Sequence, residues 1–266
     1  MSTTTLPRSV SSGTDAPEVK RITVFGDFNC PWSYLAFRRA EVLAGAGIEL
    51  DWRAVEHLPE LPHGRTTAPF AGLRDELDQL ARLLLPGEEF PHELPGFLPR
   101  TAAAVAAYAE GHAARSAVSV ARVLFDSYWM RGVDIGDVYV LRTLLADQLR
   151  DSASPSRPVR EWGAPVAVTG GPISAQAYRL IKDWSTEWRE IGRQMVPVLH
   201  VRGDAEPLRG IAAVDWLGDR ITALGLATDQ PATPAPHCWN GTLPDLQWAS
   251  ADGGRWHRRF QRCSAR

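Results

Sequence analysis

The spacing of apolar and polar positions changes period several times along the chain. Residues 21–27, RITVFGD, form a short β-branched and aromatic run, which predicts a strand. Pro31 follows where a first-turn proline is accommodated, because its missing N–H would be unpaired anyway. From Trp32 to Ala46, the residues Leu35, Ala36, Leu43 and Ala46 suit a helix that Gly47 can end. Residues 48–55, IELDWRAV, alternate apolar and polar and predict a second strand. Strand, helix, strand is the start of a βαβ unit.

A long helical middle follows. Phe70, Leu73, Leu77, Leu80 and Leu84 keep helical spacing, and Gly87 closes that segment. Residues 102–109 are Ala-rich and read as helix. Val120, Leu124 and Tyr128 make another stripe, and Val138, Leu141, Leu145 and Leu149 the next. Residues 151–172, rich in Ser, Pro and Gly, read as a loop. Ile173, Ala177, Leu180, Ile181, Trp184, Trp188 and Ile191 lie on one helical face, the two Trp reading as core packing. Met195 to Val201, MVPVLHV, reads as a strand opening on Pro197. Gly203-Asp204 then turns it toward a short partner strand over residues 206–209. Val214, Leu217, Ile221 and Leu224 mark a closing helix.

The pattern gives an α/β domain over residues 21–226, with a helical insertion at about 66–172. Residues 1–20 are small and polar and read as a disordered tail. Residues 227–266 read as an irregular, Pro-rich extension. Hydrophobic residues make up 44% of the 266, with ten Trp, enough for a substantial core. A formal net charge of -2 argues against nucleic acid or an anionic membrane as the main partner. No apolar run is long enough to span a bilayer, and the first residues lack the apolar centre of a secretory signal. The expected compartment is the cytoplasm, where three Cys are expected as thiols rather than as a disulfide framework.

The chemistry gathers at Phe28-Asn29-Cys30-Pro31-Trp32-Ser33-Tyr34-Leu35. Cys30 falls at the N-terminus of the first helix, where free N–H groups and the positive dipole end favour a thiolate. Ser33 lies one turn on, where its hydroxyl can donate to the sulfur but cannot attack a mixed disulfide at Cys30. The bland alternative for Cys30 is an inert buried thiol. Trp32 reads equally as a substrate wall and as core. Asp27 reads as the end of the strand, with electrostatic tuning of Cys30 as the alternative, and Tyr34 as a surface aromatic. His57, His63, His92, His112 and His200 are scattered and read as structural or exposed. His237, Cys238, His257 and Cys263 have metal-type side chains without paired Cys-x-x-Cys spacing, so no metal is expected there.

Two motifs carry a family resemblance: FGDFNCPWSYLAF, residues 25–37, and MVPVLHVRG, residues 195–203. A looser likeness lies in LFDSYWMRGVDIGDVYVL, residues 124–141. Together they resemble the DsbA-like branch of the thioredoxin superfamily. That branch includes FrnE-type oxidoreductases, 2-hydroxychromene-2-carboxylate isomerases and kappa-class glutathione transferases. The resemblance implies a thioredoxin-like fold with a helical insertion. It matches Cys30 to the oxidoreductases' nucleophilic Cys, and to the Ser of the isomerases and transferases. Ser33 matches the oxidoreductases' second Cys, and Pro197 the cis-proline that Val196 precedes.

The leading expectation is an enzyme with one active thiol, a CPWS site acting through mixed disulfides. Cys30 and Ser33 would be catalytic, while Pro31, Trp32, Val196 and Pro197 would hold the substrate. Its partner would be a small-molecule thiol or a protein thiol. No tightly bound cofactor is expected beyond a low-molecular-weight thiol such as glutathione. The alternatives are an isomerase or transferase that binds such a thiol without redox turnover, and a non-catalytic peptide-binding module. Cys238 or Cys263 is a candidate resolving thiol, and a homodimer is compatible with the pattern.

Overall fold

The computed structural model describes residues 21–228, apart from 65, 67–71, 92, 114, 152–174, 193–194 and 205. The expected tail, most of the loop at 151–172 and nearly all of the extension, with Cys238, Cys263 and the metal-type residues, lie outside the described residues.

Strand β1 (Ile22–Gly26) leads into helix α1 (Pro31–Gly45) and strand β2 (Leu50–Ala54). The helices α2 (Leu73–Ala81), α3 (Ala102–Ala113), α4 (Ala117–Trp129), α5 (Val138–Leu144), α6 (Ala146–Asp151) and α7 (Ala175–Ile191) follow. Strands β3 (Val198–Val201) and β4 (Leu208–Arg209) and helix α8 (Ile211–Ala223) complete the described chain. The sheet runs β2-β1-β3-β4. β1 pairs parallel with β2, antiparallel with β3, and β3 pairs antiparallel with β4. β1 is buried along its whole length, which explains its nearly unbroken apolar run.

Helix α1 is buried on almost every face, because it touches β1, β2, α2, α4 and α8 together. That position puts a charge inside: Arg39 is 1% exposed. Its guanidinium pairs with both carboxylate oxygens of Glu88 at 2.8 Å and donates to the carbonyls of Val214 (2.9 Å) and Leu83 (2.6 Å). Helix α3 packs against α4 and α7. Its run of buried alanines, from Ala103 to Ala109 with Val105 and Tyr108 between, keeps that helix slim at the contact.

Several expected boundaries shift. The helix expected at 70–84 runs only over Leu73–Ala81, and Phe70 lies outside the described residues. The stripe through Val138 and Leu149 is two short helices that break at Leu145, and Asp151 ends the second rather than opening a loop. Strand β4 is two residues long. Leu224 is 44% exposed, because it caps α8 instead of continuing its buried face.

Candidate active site

The chain leaves β1 at Gly26 and turns directly into α1. The turn closes with Cys30 N–H donating to Asp27 O at 3.2 Å, and the helix opens with Tyr34 N–H donating to Cys30 O at 3.1 Å. Cys30 is the N-cap residue, in an extended conformation, with Pro31 opening the helix behind it. Across from it stands the entry to β3. The Val196–Pro197 peptide bond is cis, and the Cys30 S–H donates to Val196 O at 3.7 Å. Two bonds fix that opposing segment: Trp188 Nε1–H donates to Met195 O at 2.7 Å, and Gly210 N–H donates to Pro197 O at 2.8 Å. Trp188 therefore positions the segment as well as filling core. Cys30, Ser33, Val196 and Pro197 meet in one place, although 166 residues separate Cys30 from Val196.

The electrostatics run against the expectation of a thiolate. Cys30 is 6% exposed, and its pKa is pushed up from 9.0 to about 12. Burial is the largest cause; hydrogen bonds from Ser33 oppose it, and the nearby charges of Asp27 and Glu76 add to it. The helix end does not win: the Ser33 hydroxyl and backbone N–H both favour the thiolate, but burial outweighs them. The S–H bond to Val196 O is also available only to the protonated thiol. Ser33, fully buried, stands between Asp27 and the sulfur: its Oγ accepts from Asp27 N–H at 3.2 Å.

Trp32 belongs to the core, 9% exposed, with Nε1–H donating to Glu76 Oε2 at 3.1 Å. Glu76, half-buried on α2, has its pKa raised, mainly by burial. Tyr34 is no surface aromatic. It is 3% exposed, its hydroxyl donates to Asp126 Oδ1 at 3.1 Å, and its ring lies among Phe90, Phe125 and Trp129.

Asp27 and His57 do more here than end a strand or decorate a surface. Asp27 is fully buried. Its Oδ2 accepts from the His57 backbone N–H at 2.8 Å and lies 2.7 Å from His57 Nδ1. Its Oδ1 has no partner among the described residues. Asn29 is also buried, with Nδ2 donating to Pro99 O at 3.1 Å and Oδ1 unpartnered among the described residues. A signal for the Asp27–His57 pair existed: both residues lie just past the C-terminal ends of adjacent parallel strands, where α/β sheets bind ligands.

Residues 21–148 match the family model of the DSBA-like thioredoxin domain. The fold is thioredoxin-like of the DSBA type, with β3 and β4 beyond the matched residues completing the sheet. Solved structures similar in fold agree at low sequence identity. A probable DsbA oxidoreductase from Streptomyces coelicolor is 17% identical, with a TM-score of 0.55, covering 91% of this chain and 100% of its own. A 2-hydroxychromene-2-carboxylate isomerase is 19% identical, with a TM-score of 0.51, covering 77% and 94%. The cytosolic disulfide reductase DsbM from Pseudomonas aeruginosa, solved with GSH, is 16% identical, with a TM-score of 0.52, covering 77% and 100%. No curated protein matches the chain in sequence.

Among the described residues no group of three or more His, Cys, Asp or Glu is placed to hold a metal ion. No helix among them is long and apolar enough to cross a membrane.

Proposed function

We propose that this protein is a thiol-disulfide oxidoreductase that works through a single sulfur, Cys30, and exchanges with a low-molecular-weight thiol of the glutathione type. The observation that carries this reading is the position of Cys30 Sγ, 3.7 Å from Val196 O beside the cis Val196–Pro197 bond. A disulfide lying along that segment would place one sulfur against Cys30 while its backbone or amide groups meet the main chain of Val196, as in strand addition. Pro31 and Trp32 form the near wall and Pro197 the far one. Ser33 supplies a hydrogen bond to the sulfur but no second thiol. The mixed disulfide therefore persists until an external thiol resolves it. Burial stores the resting sulfur as a thiol.

The test is incubation of the reduced full-length protein with glutathione disulfide, followed by peptide mass mapping. One glutathionyl group on Cys30, released by added glutathione and absent in Cys30→Ala, is the expected result. A Cys30 still unmodified after an incubation long enough to offset its roughly 10³-fold smaller thiolate fraction would overturn the reading.

One observation favours a second reading, the thiol-dependent isomerase or transferase. A Cys30 that keeps its proton can donate a hydrogen bond to a bound cofactor thiolate, as a hydroxyl would, without forming a covalent bond. Calorimetric binding of glutathione with no loss of reduced thiol over time selects it.

A further inference from the structure

The turn between α3 and α4 carries an arginine where backbone geometry favours glycine. Ser116 N–H donates to Gly111 O at 2.8 Å and Arg115 N–H to His112 O at 3.2 Å, the two bonds that close a helix through a left-handed residue. Arg115 is that residue, with φ 65°, and it is the one non-glycine with positive φ among the described residues. A Cβ is disfavoured in this conformation, and glycine is its usual occupant. The Arg115 guanidinium is exposed and has no hydrogen-bond or ion-pair partner among the described residues. Its contacts within the protein therefore do not account for an arginine at this position.

The space in front of it does. A cavity of about 530 Å³ opens at this turn, lined by Arg115, His112, Arg122, Ser116 and Ser119. Val118, 57% exposed, stands beside them. Among the described residues no Asp or Glu lines it. We infer that this cavity binds a small phosphomonoester, with the phosphate held by Arg115, Arg122 and His112. The inference goes beyond the oxidoreductase reading and does not depend on it.

The lining is held in place from behind. Arg122 Nε donates to Glu41 Oε1 at 2.8 Å, and its Nη2 lies 2.6 Å from the same oxygen. Its Nη1 has no partner among the described residues and remains available to a ligand. Glu41 belongs to the buried face of α1, so it fixes the guanidinium and neutralises it in part. Arg115 then supplies the uncompensated positive charge. The His112 ring is set edge-on to Trp184 and Tyr108, with centroids 5.3 and 6.3 Å away. Ser116 Oγ donates to Gly111 O at 3.3 Å and keeps its lone pairs, while the exposed Ser119 hydroxyl is free to donate.

This chemistry selects phosphate. A guanidinium presents a planar fork of N–H donors that matches phosphate oxygens two at a time. An imidazole adds a donor, and a charge when protonated. A bare anion would fill only a small part of a cavity this size, which lies in the range of small-molecule sites. Val118 offers apolar surface to the body of an ester.

The cavity is separate from the sulfur. Helix α4 is 13 residues long, and at its far end Trp129 Nε1–H donates to Phe28 O at 2.9 Å. At 1.5 Å per residue, the helix sets the cavity about 18 Å from the turn that carries Cys30.

The experiment titrates the full-length protein with phenyl phosphate, inorganic phosphate and phenol. Calorimetry reads the affinity, and the imidazole NMR signal of His112 reads the place. Phenyl phosphate at millimolar concentration should shift that signal, inorganic phosphate should bind more weakly, and phenol should leave the signal unmoved. Arg115→Gly should weaken phenyl phosphate about 10- to 100-fold, the range that one charge-assisted hydrogen bond supplies. Thermal melting separates binding from folding. Glycine suits the left-handed position, so Arg115→Gly without ligand should melt at or above the wild-type temperature. An unmoved His112 signal with phenyl phosphate overturns the inference, as does an unchanged affinity in Arg115→Gly. Phenol binding as tightly as phenyl phosphate overturns the role of the charge. Inorganic phosphate binding as tightly as phenyl phosphate assigns the cavity to the free anion and overturns the ester. An Arg115→Gly protein that melts well below the wild type shows that the arginine serves the fold, and overturns its assignment to a ligand.

Discussion

Burial of Cys30 makes the stability of this fold fall with rising pH in a way that one substitution can isolate. The thiol pKa is 9.0 when unperturbed and about 12 in the folded protein. Above pH 9 the unfolded chain releases the Cys30 proton while the folded protein keeps it. The unfolded state then binds fewer protons, so stability decreases as pH rises. The contribution is fully present below pH 9 and is lost progressively as pH climbs through 12. At pH 10.5 the unfolded thiol is almost wholly ionised and the folded one almost wholly protonated. Half of the span from 9.0 to about 12 has then been traversed, a loss of about 2 kcal/mol. Urea unfolding of the wild type and Cys30→Ala at pH 8 and pH 10.5 measures it. Tyr34, Tyr108 and Tyr128 also have raised pKa values through burial and destabilise the fold in strong alkali. They do so in both proteins, so the double difference leaves Cys30. Cys30→Ala should lose about 2 kcal/mol less than the wild type between the two pH values. Equal losses would show that the sulfur is not held protonated, and the argument from burial would fail. The same shift predicts that iodoacetamide at pH 8 labels Cys30 about 10³-fold more slowly than an unperturbed thiol, since only the thiolate reacts.

Three other expectations test the frame of the site. Glu88→Ala strips Arg39 of its buried counter-charge and should cost about 3–5 kcal/mol by chemical denaturation. Gly26→Ala would place a methyl group 2.4 Å from Trp52 Cζ2, at the end of the strand that feeds Cys30. It should lower stability by about 1–3 kcal/mol and reduce Cys30 exchange together, measured by thermal melting and mass mapping. Trp188→Phe removes the bond to Met195 O and should cost about 1 kcal/mol. Its larger effect should be slower exchange at Cys30, because the Val196 segment loses its anchor.

The β1-α1-β2 unit was legible because its signals are local: a β-branched run, a first-turn proline, and alternation through IELDWRAV. The meeting of Cys30 with Val196 was legible only through the two-motif resemblance, since nothing in either segment alone points to the other. What escaped was set by burial. A helix end argues for a thiolate, but no pattern within FNCPWSYL reveals that neighbours would cover the sulfur to 6% exposure. Tyr34 reads as a surface residue because most helices keep an exposed face, whereas α1 is enclosed on almost every side. Asp27 and His57 looked unrelated at thirty residues apart. The parallel register that sets Gly26 beside Ala54 brings them together.

Inserting a long helical segment between β2 and β3 has a consequence for biosynthesis. The sulfur and its Asp27–His57 neighbours belong to the first part of the chain to leave the ribosome. The Val196 carbonyl and the partner strand of β1 arrive much later. Until β3 emerges, one edge of β1 has no strand to pair with, and the thiol lacks its opposing wall. A nascent chain therefore carries an incomplete, more open sulfur site, and closing the sheet is what converts it into the guarded one.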